Sequence, residues 1–182
     1  MKNNVHFMEA FDHLLGVEGG YVNDENDRGG KTRYGITEAV ARSYDYEGPM
    51  SELPLNIAIV IYEELYWDVN KLDAIAEVNY DLAYQVFDAG VNTGTQRAGQ
   101  WLQRSLNCFR RANRYEPLYE ELKVDGYIGP VTVEAFETFA EYTNTDLLLT
   151  TFRALQAHLY ITLCEGKDSQ QKFMRGWIKR VQ

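Results

Sequence analysis

Apolar residues recur at three- and four-residue intervals along much of the chain, whereas from Gly19 to Ile36 there is no helical period. Phe7, Phe11, Leu14 and Leu15 share one face of a first helix, with Asn3 or Asn4 placed to cap it and Gly16 placed to stop it just before Glu18. The helical spacing returns in Ile57, Ile61 and Leu65, in Leu82, Val86 and Phe87, and in Ala98, Trp101, Leu102, Ser105, Leu106 and Phe109. It continues in Val133, Phe136 and Ala140, in Leu148, Phe152, Leu155, Leu159 and Leu163, and in Phe173, Trp177 and Val181. Such a chain is predicted to be mainly α, built by packing helix on helix. The interrupting segment carries Asn23-Asp24, Asn26-Asp27 and Gly29-Gly30, which is turn chemistry, so a small irregular β-hairpin or long ordered loop is expected after the first helix. "VDGYIGPVT", Val124 to Thr132, reads as a turn between helices.

At 182 residues, 45% hydrophobic and 25% charged, the chain can bury a real core, and four prolines with no low-complexity run leave no long linker. A net charge of −9 argues against nucleic acid as a partner, since neutralising phosphates needs a concentrated basic face. Arg104, Arg110, Arg111 and Arg114 read as a solvated helix face. Cys108 and Cys164 fall at core-like positions of helical patterns and are expected to be buried free thiols. Glu9, Asp12 and His13 interrupt any signal-peptide core, and no later run approaches the ~20 apolar residues of a membrane span. The expectation is synthesis in the cytoplasm without a signal peptide.

The chemistry concentrates in "EGGYVNDENDRGGKTRYGIT", Glu18 to Thr37. A carboxylate at a helix C-terminus faces the negative end of the macrodipole, which disfavours its ionised form and suits it to act as a general acid. Gly19 and Gly20 remove side chains beside it, so a bulky substrate can approach. Asp24 and Asp27 add two carboxyl groups, and Thr32 and Tyr34 add hydroxyls; two carboxyl groups flanking a sugar bond are the equipment of a glycosidase. A calcium-loop reading fails: with Asp24 at the first position, Gly35 stands at the twelfth, where a glutamate is required. His6, His13 and His158 have no metal-ligand spacing, so neither metal nor other cofactor is expected. Further on, Asp88 follows the apolar face of its helix, and Asn92, Thr93 and Gly94 offer amide and hydroxyl groups suited to an N-acetyl sugar, or to capping the next helix. Most of the 13 tyrosines are better explained as half-buried core edge than as sugar platforms.

The opening motif closely resembles the signature EGGYVNDPxDPGGxTxYGIS of the glycoside hydrolase 108 family, N-acetylmuramidases of bacteria and phages, some termed secretion activator proteins. The resemblance continues through "FDAGVNTG", "GQWLQRSLN", "DGYIGPVT" and the closing Gly176-Trp177. It implies a lysozyme-like helical fold, with a catalytic region over 1–98 and a helical, peptidoglycan-binding-like region over 99–182. It implies cleavage between N-acetylmuramic acid and N-acetylglucosamine, with Glu18 as catalytic acid. Asp27 stands where phage-type lysozymes carry an aspartate, although their threonine position falls on Arg33, with Thr32 adjacent. Tyr21, Asp24, Thr32, Tyr34, Asp88, Asn92 and Thr93 are the residues expected to hold substrate. Glu25 and Arg28 replace prolines common in the family, without removing a catalytic group. Peptidoglycan glycan strands are the expected partner, met at the cell wall or in the periplasm, with a holin or secretion system carrying the protein there. The competing readings are a wall-binding module without turnover and a chitin- or chitosan-cleaving enzyme on a similar scaffold.

Overall fold

Asn4 opens the first helix by accepting the Phe7 N–H on its side-chain oxygen at 3.1 Å. The computed structural model describes residues 4–18, 21–23, 31–111 and 116–182, and for residues 17, 18, 21–23 and 31 the backbone alone. In it, helix α1 spans Val5–Glu18. Gly16 does not stop it, contrary to expectation. A glycine in a helix costs roughly 1 kcal/mol relative to alanine, whereas Phe7, Ala10, Phe11 and Leu14 are buried along the opposite side and hold the helix together. Glu18 is therefore the last helical residue rather than the first one beyond the helix.

The interrupted segment forms a three-stranded antiparallel sheet of very short strands, β1 (Tyr21–Asn23), β2 (Lys31–Arg33) and β3 (Ile36–Thr37), in that spatial order. Val22 lies opposite Thr32, and Thr32 lies opposite Thr37, so β2 is the central strand. Thr37 then caps α2 (Glu38–Ser43), its hydroxyl accepting the Val40 N–H at 3.4 Å. Helix α3 (Leu55–Tyr62) runs on into a π turn over Glu63–Trp67. The wider turn shifts the helical phase, so Trp67 faces the core while Leu65, expected inside from its spacing, is 39% exposed.

The chain divides into two compact units, Met1–Asp68 and Val69–Gln182. In the first, Phe7 packs edge-on against Trp67 with ring centroids 5.7 Å apart, and Phe11 against Tyr62 at 5.4 Å. The second contains α4 (Leu72–Ala76), α5 (Tyr80–Thr93), α6 (Thr95–Phe109), α7 (Pro130–Tyr142), α8 (Asp146–Gly166) and α9 (Met174–Lys179). Helix α5 packs on α4, α6 and α8, α6 also packs on α7 and α8, and α9 lies on α8. Leu82, Val86, Phe87, Trp101, Leu102, Leu106, Phe136, Phe139, Leu148 and Phe152 form this unit's core. The fold is mainly α and lysozyme-like, with one small sheet after the first helix.

Cys108 is exposed and Cys164 half-buried, so neither is the buried thiol its spacing suggested. Each lies beyond the last buried residue of its helix, Leu106 in α6 and Tyr160 in α8. Helix α8 is long and apolar enough, by length and composition, to cross a membrane, a run the sequence was not expected to contain. Its apolar stripe of Leu148, Leu149, Phe152 and Tyr160 is buried within the second unit, the pattern of a core helix. Arg104 is exposed on α6, Arg110 reaches Glu121 at 3.5 Å, and Arg114 lies outside the described residues.

Candidate functional site

Glu18 ends α1, and the sheet follows it directly in sequence. The side chains of Glu18 and Tyr21 lie outside the described residues, as do Asp24 and Asp27 altogether. Thr32 and Tyr34 are brought close by the tight turn between β2 and β3. Tyr34 and Gly35 occupy that turn with φ of 55° and 73°, the left-handed conformation that two-residue hairpins demand and that a tyrosine rarely adopts. Two contacts hold it there. The Tyr62 hydroxyl donates to the Tyr34 carbonyl at 2.7 Å, and the Arg33 guanidinium lies 5.1 Å from the Tyr34 ring centre while donating to its hydroxyl at 3.3 Å.

Tyr62 is a residue the sequence reading missed as part of this site. No local pattern singles it out; the available signal is that a buried tyrosine needs a partner for its O–H. Nearby, burial raises the Tyr66 hydroxyl above its ordinary value, and burial followed by the hydrogen bond and charge of Glu64 raises Tyr44. Both are neutral hydroxyls at physiological pH, able to hydrogen-bond but not to act as bases.

In the second unit, Asp88, Asn92 and Thr93 all lie on α5, and Asn92 and Thr93 form its last turn rather than a loop. Asp88 is 3% exposed by side chain, and its Oδ1 accepts from Arg180 Nη1 at 2.5 Å and from Asn92 Nδ2 at 3.1 Å. Asn92 Nδ2 also donates to the Asp88 carbonyl at 2.8 Å, and the Thr93 hydroxyl to the Ala89 carbonyl at 2.8 Å. Neither caps α6; Gly94, at φ 92°, makes that junction without a side-chain cap. Among the described residues, no group of three or more His, Cys, Asp or Glu side chains could hold a metal ion.

Two family models account for all but residues 1–10, 95 and 96: Glycosyl hydrolase 108 matches residues 11–94, and Predicted Peptidoglycan domain matches residues 97–182. Residues 11–94 thus carry the pattern of the glycoside hydrolase 108 family, and residues 97–182 that of a peptidoglycan domain. The boundary between the two matches falls at the junction of α5 and α6, whereas the packing divides earlier, at Asp68, because α4 and α5 bury their apolar faces with the later helices. Among solved structures, SagA of Brucella abortus superimposes with a TM-score of 0.70 at 24% identity, covering 96% of this chain and 88% of its own, a likeness of fold. No curated protein matches the chain. The two matches together support a peptidoglycan-hydrolase family and a glycosidase.

Proposed function

We propose that this chain is an N-acetylmuramidase of the glycoside hydrolase 108 kind, cleaving peptidoglycan between N-acetylmuramic acid and N-acetylglucosamine, with Glu18 as the general acid. The observation that carries the reading is Glu18 as the last residue of α1 within the hydrolase match, followed by Gly19 and Gly20. At a helix C-terminus the unpaired carbonyls disfavour a second negative charge, so the carboxyl proton is retained more readily and can pass to the glycosidic oxygen. The sugar then develops oxocarbenium character, and Asp27 is the carboxylate proposed to stabilise it or to activate water. Thr32 and Tyr34, fixed by the β2–β3 turn, are proposed to bind the glycan with Tyr21 and Asp24; in the second unit, Asn92 and Thr93 are proposed as polar contacts for the same polymer. Residues 1–98 would then act as the catalytic region and 99–182 as the part that engages the wall, at the cell wall or in the periplasm.

The test is incubation with purified peptidoglycan followed by mass spectrometry of the soluble fragments. Fragments ending in reducing N-acetylmuramic acid are expected. Reducing N-acetylglucosamine would mean the other bond is cut, and no fragments would favour a wall-binding module without turnover.

A further inference from the structure

The chain between α6 and α7 includes a surface loop, residues 125–129, that is held with the care usually given to a core. Gln103 of α6 is buried, and its Nε2 donates to Asp125 Oδ1 and to the Tyr127 carbonyl, both at 3.0 Å, while its Oε1 accepts the Gly126 N–H at 2.8 Å. Asp125 Oδ1 also accepts the Tyr127 N–H at 2.9 Å. Gly126, at φ 84°, lies directly against α6: a Cβ on Gly99 would come within 2.1 Å of the Gly126 carbonyl oxygen, and one on Gly126 within 2.3 Å of the Gln96 carbonyl oxygen. Two backbones meet where neither can carry a side chain.

What this clamped loop presents is an aromatic ring. Tyr127 is 61% exposed, and its ring lies against Gly129, where a Cβ would fall 2.4 Å from a ring carbon. Beside it opens a cavity of about 240 Å³, walled by Leu122, Pro130, Val131 and Thr132, with Lys123 and Asp125 at the polar side. Asp125 Oδ1 is occupied by the loop, but Oδ2 faces Lys123 Nζ at a loose 3.9 Å. The hydrogen bond from Gln103, then that from the Tyr127 N–H, holds the Asp125 carboxyl below its ordinary range, so it is an acceptor at any physiological pH.

We propose that Tyr127, Asp125 and Lys123 form a saccharide subsite in the second unit, in which the C–H face of a pyranose ring stacks on Tyr127. Its hydroxyls donate to Asp125 Oδ2 and accept from Lys123 Nζ, and an N-acetyl methyl rests on Val131. A sugar ring is apolar across its face and polar around its edge, and an aromatic ring beside a carboxylate and an ammonium complements both. Because Gln103 and the paired glycines have already ordered the loop, binding costs little further entropy. That the occupant is an N-acetylated glycan strand of peptidoglycan rests on the function proposed above. The subsite would anchor the enzyme on an insoluble polymer and raise the effective concentration of cleavable bonds.

The test is co-sedimentation of the full chain with purified sacculi stripped of stem peptides by an amidase, leaving the glycan alone, at low temperature and short times. Wild-type protein and Tyr127→Phe are expected to bind alike, and Tyr127→Ala to bind about fivefold or more weakly. Lys123→Glu, at a side chain 87% exposed, is expected to weaken binding without lowering the melting temperature. Binding of Tyr127→Ala and Lys123→Glu equal to wild type overturns the subsite, as does wild-type binding that disappears when the stem peptides are removed. Release of reducing ends by wild-type protein, measured in parallel, separates the two proposals. Hydrolysis with binding insensitive to Tyr127 overturns the subsite alone, whereas Tyr127-dependent binding without hydrolysis supports it and overturns the muramidase reading.

Discussion

The hydroxyl of Tyr62 donates to the carbonyl oxygen of Tyr34 across 2.7 Å, joining the end of α3 to the turn between β2 and β3. The same Tyr62 ring packs edge-on against Phe11 of α1. One side chain thus touches both the helix that ends in Glu18 and the turn that carries Tyr34. Within the first unit it links the turn to the helix, and it helps secure a tyrosine in a backbone conformation that costs roughly 1 kcal/mol or more.

Tyr62→Phe keeps the ring and its packing and removes only the donated hydrogen bond. A loss of about 1 kcal/mol is expected, read as a lower midpoint in chemical denaturation, together with slower peptidoglycan hydrolysis as the turn loosens. An unchanged midpoint would show that the Tyr34 carbonyl finds another donor at no cost.

Why this link escaped notice in the sequence is a matter of distance: Tyr62 and Tyr34 are 28 residues apart, and no local pattern joins them. The Tyr34-Gly35 turn also lacks the Asn-Gly or Asp-Gly pair that marks a two-residue hairpin. The helices, by contrast, were legible because burial imposes a period that can be counted, as at Leu102 and Leu106. Gly16 does not end α1 because packing of Phe7, Phe11 and Leu14 outweighs a lone glycine, a tertiary effect on a local preference. For Asn92 and Thr93 only the capping alternative fails, because a polar side chain bonding back into its own helix and one capping the next helix look identical in sequence. Asp88 was read for its chemistry, but its partner Arg180 stands 92 residues away.

Gly99→Ala tests how closely α6 and the 125–129 loop must approach. The added methyl would meet a carbonyl oxygen at 2.1 Å, and both partners are backbone, so relief requires the loop to move. A destabilisation of about 3 kcal/mol or more is expected, at the upper end for overpacked sites. Thermal melting checks it, and a shift of less than a degree or two would mean that the loop yields freely.

Asp88→Asn removes the charge that faces Arg180, whose side chain is only 16% exposed. Neutralising the carboxylate that a largely buried guanidinium faces is expected to cost about 3 kcal/mol. The double variant Asp88→Asn/Arg180→Gln should recover part of the loss, because it removes both charges. Additive losses in a denaturation cycle would show that the pair is not coupled.

Burial pushes the Tyr119 hydroxyl up to about 12, and that hydroxyl donates to the Leu106 carbonyl at 2.8 Å. A folded-state pKa above the free value of 10.0 means that the neutral phenol favours the fold. Its contribution is fully present below pH 10 and is lost as the pH rises through about 12. A tyrosinate absorbance titration should show a late-titrating phenol that vanishes in Tyr119→Phe. That variant should lose less stability than wild type between pH 10 and 12; equal losses would place the alkaline transition elsewhere.

Glu18→Gln bears on the proposed chemistry directly. Glutamine keeps the size and most of the hydrogen-bonding capacity of glutamate but has no proton to give to a leaving glycosidic oxygen. General-acid catalysis contributes about 10²–10⁴-fold, so the hydrolysis rate should fall by that factor. Stability should hold or rise slightly, because Glu18 ends α1, where a negative charge opposes the macrodipole. Binding to sacculi should also persist, since the proposed glycan contacts at Tyr34, Asn92 and Tyr127 are untouched. Rate, melting temperature and binding must therefore be measured on one preparation. A rate that falls alone supports the acid role; an unchanged rate makes Glu18 a helix terminus and nothing more. If rate and melting temperature fall together, the residue is structural, and the proton donor must be sought at Asp24 or Asp27.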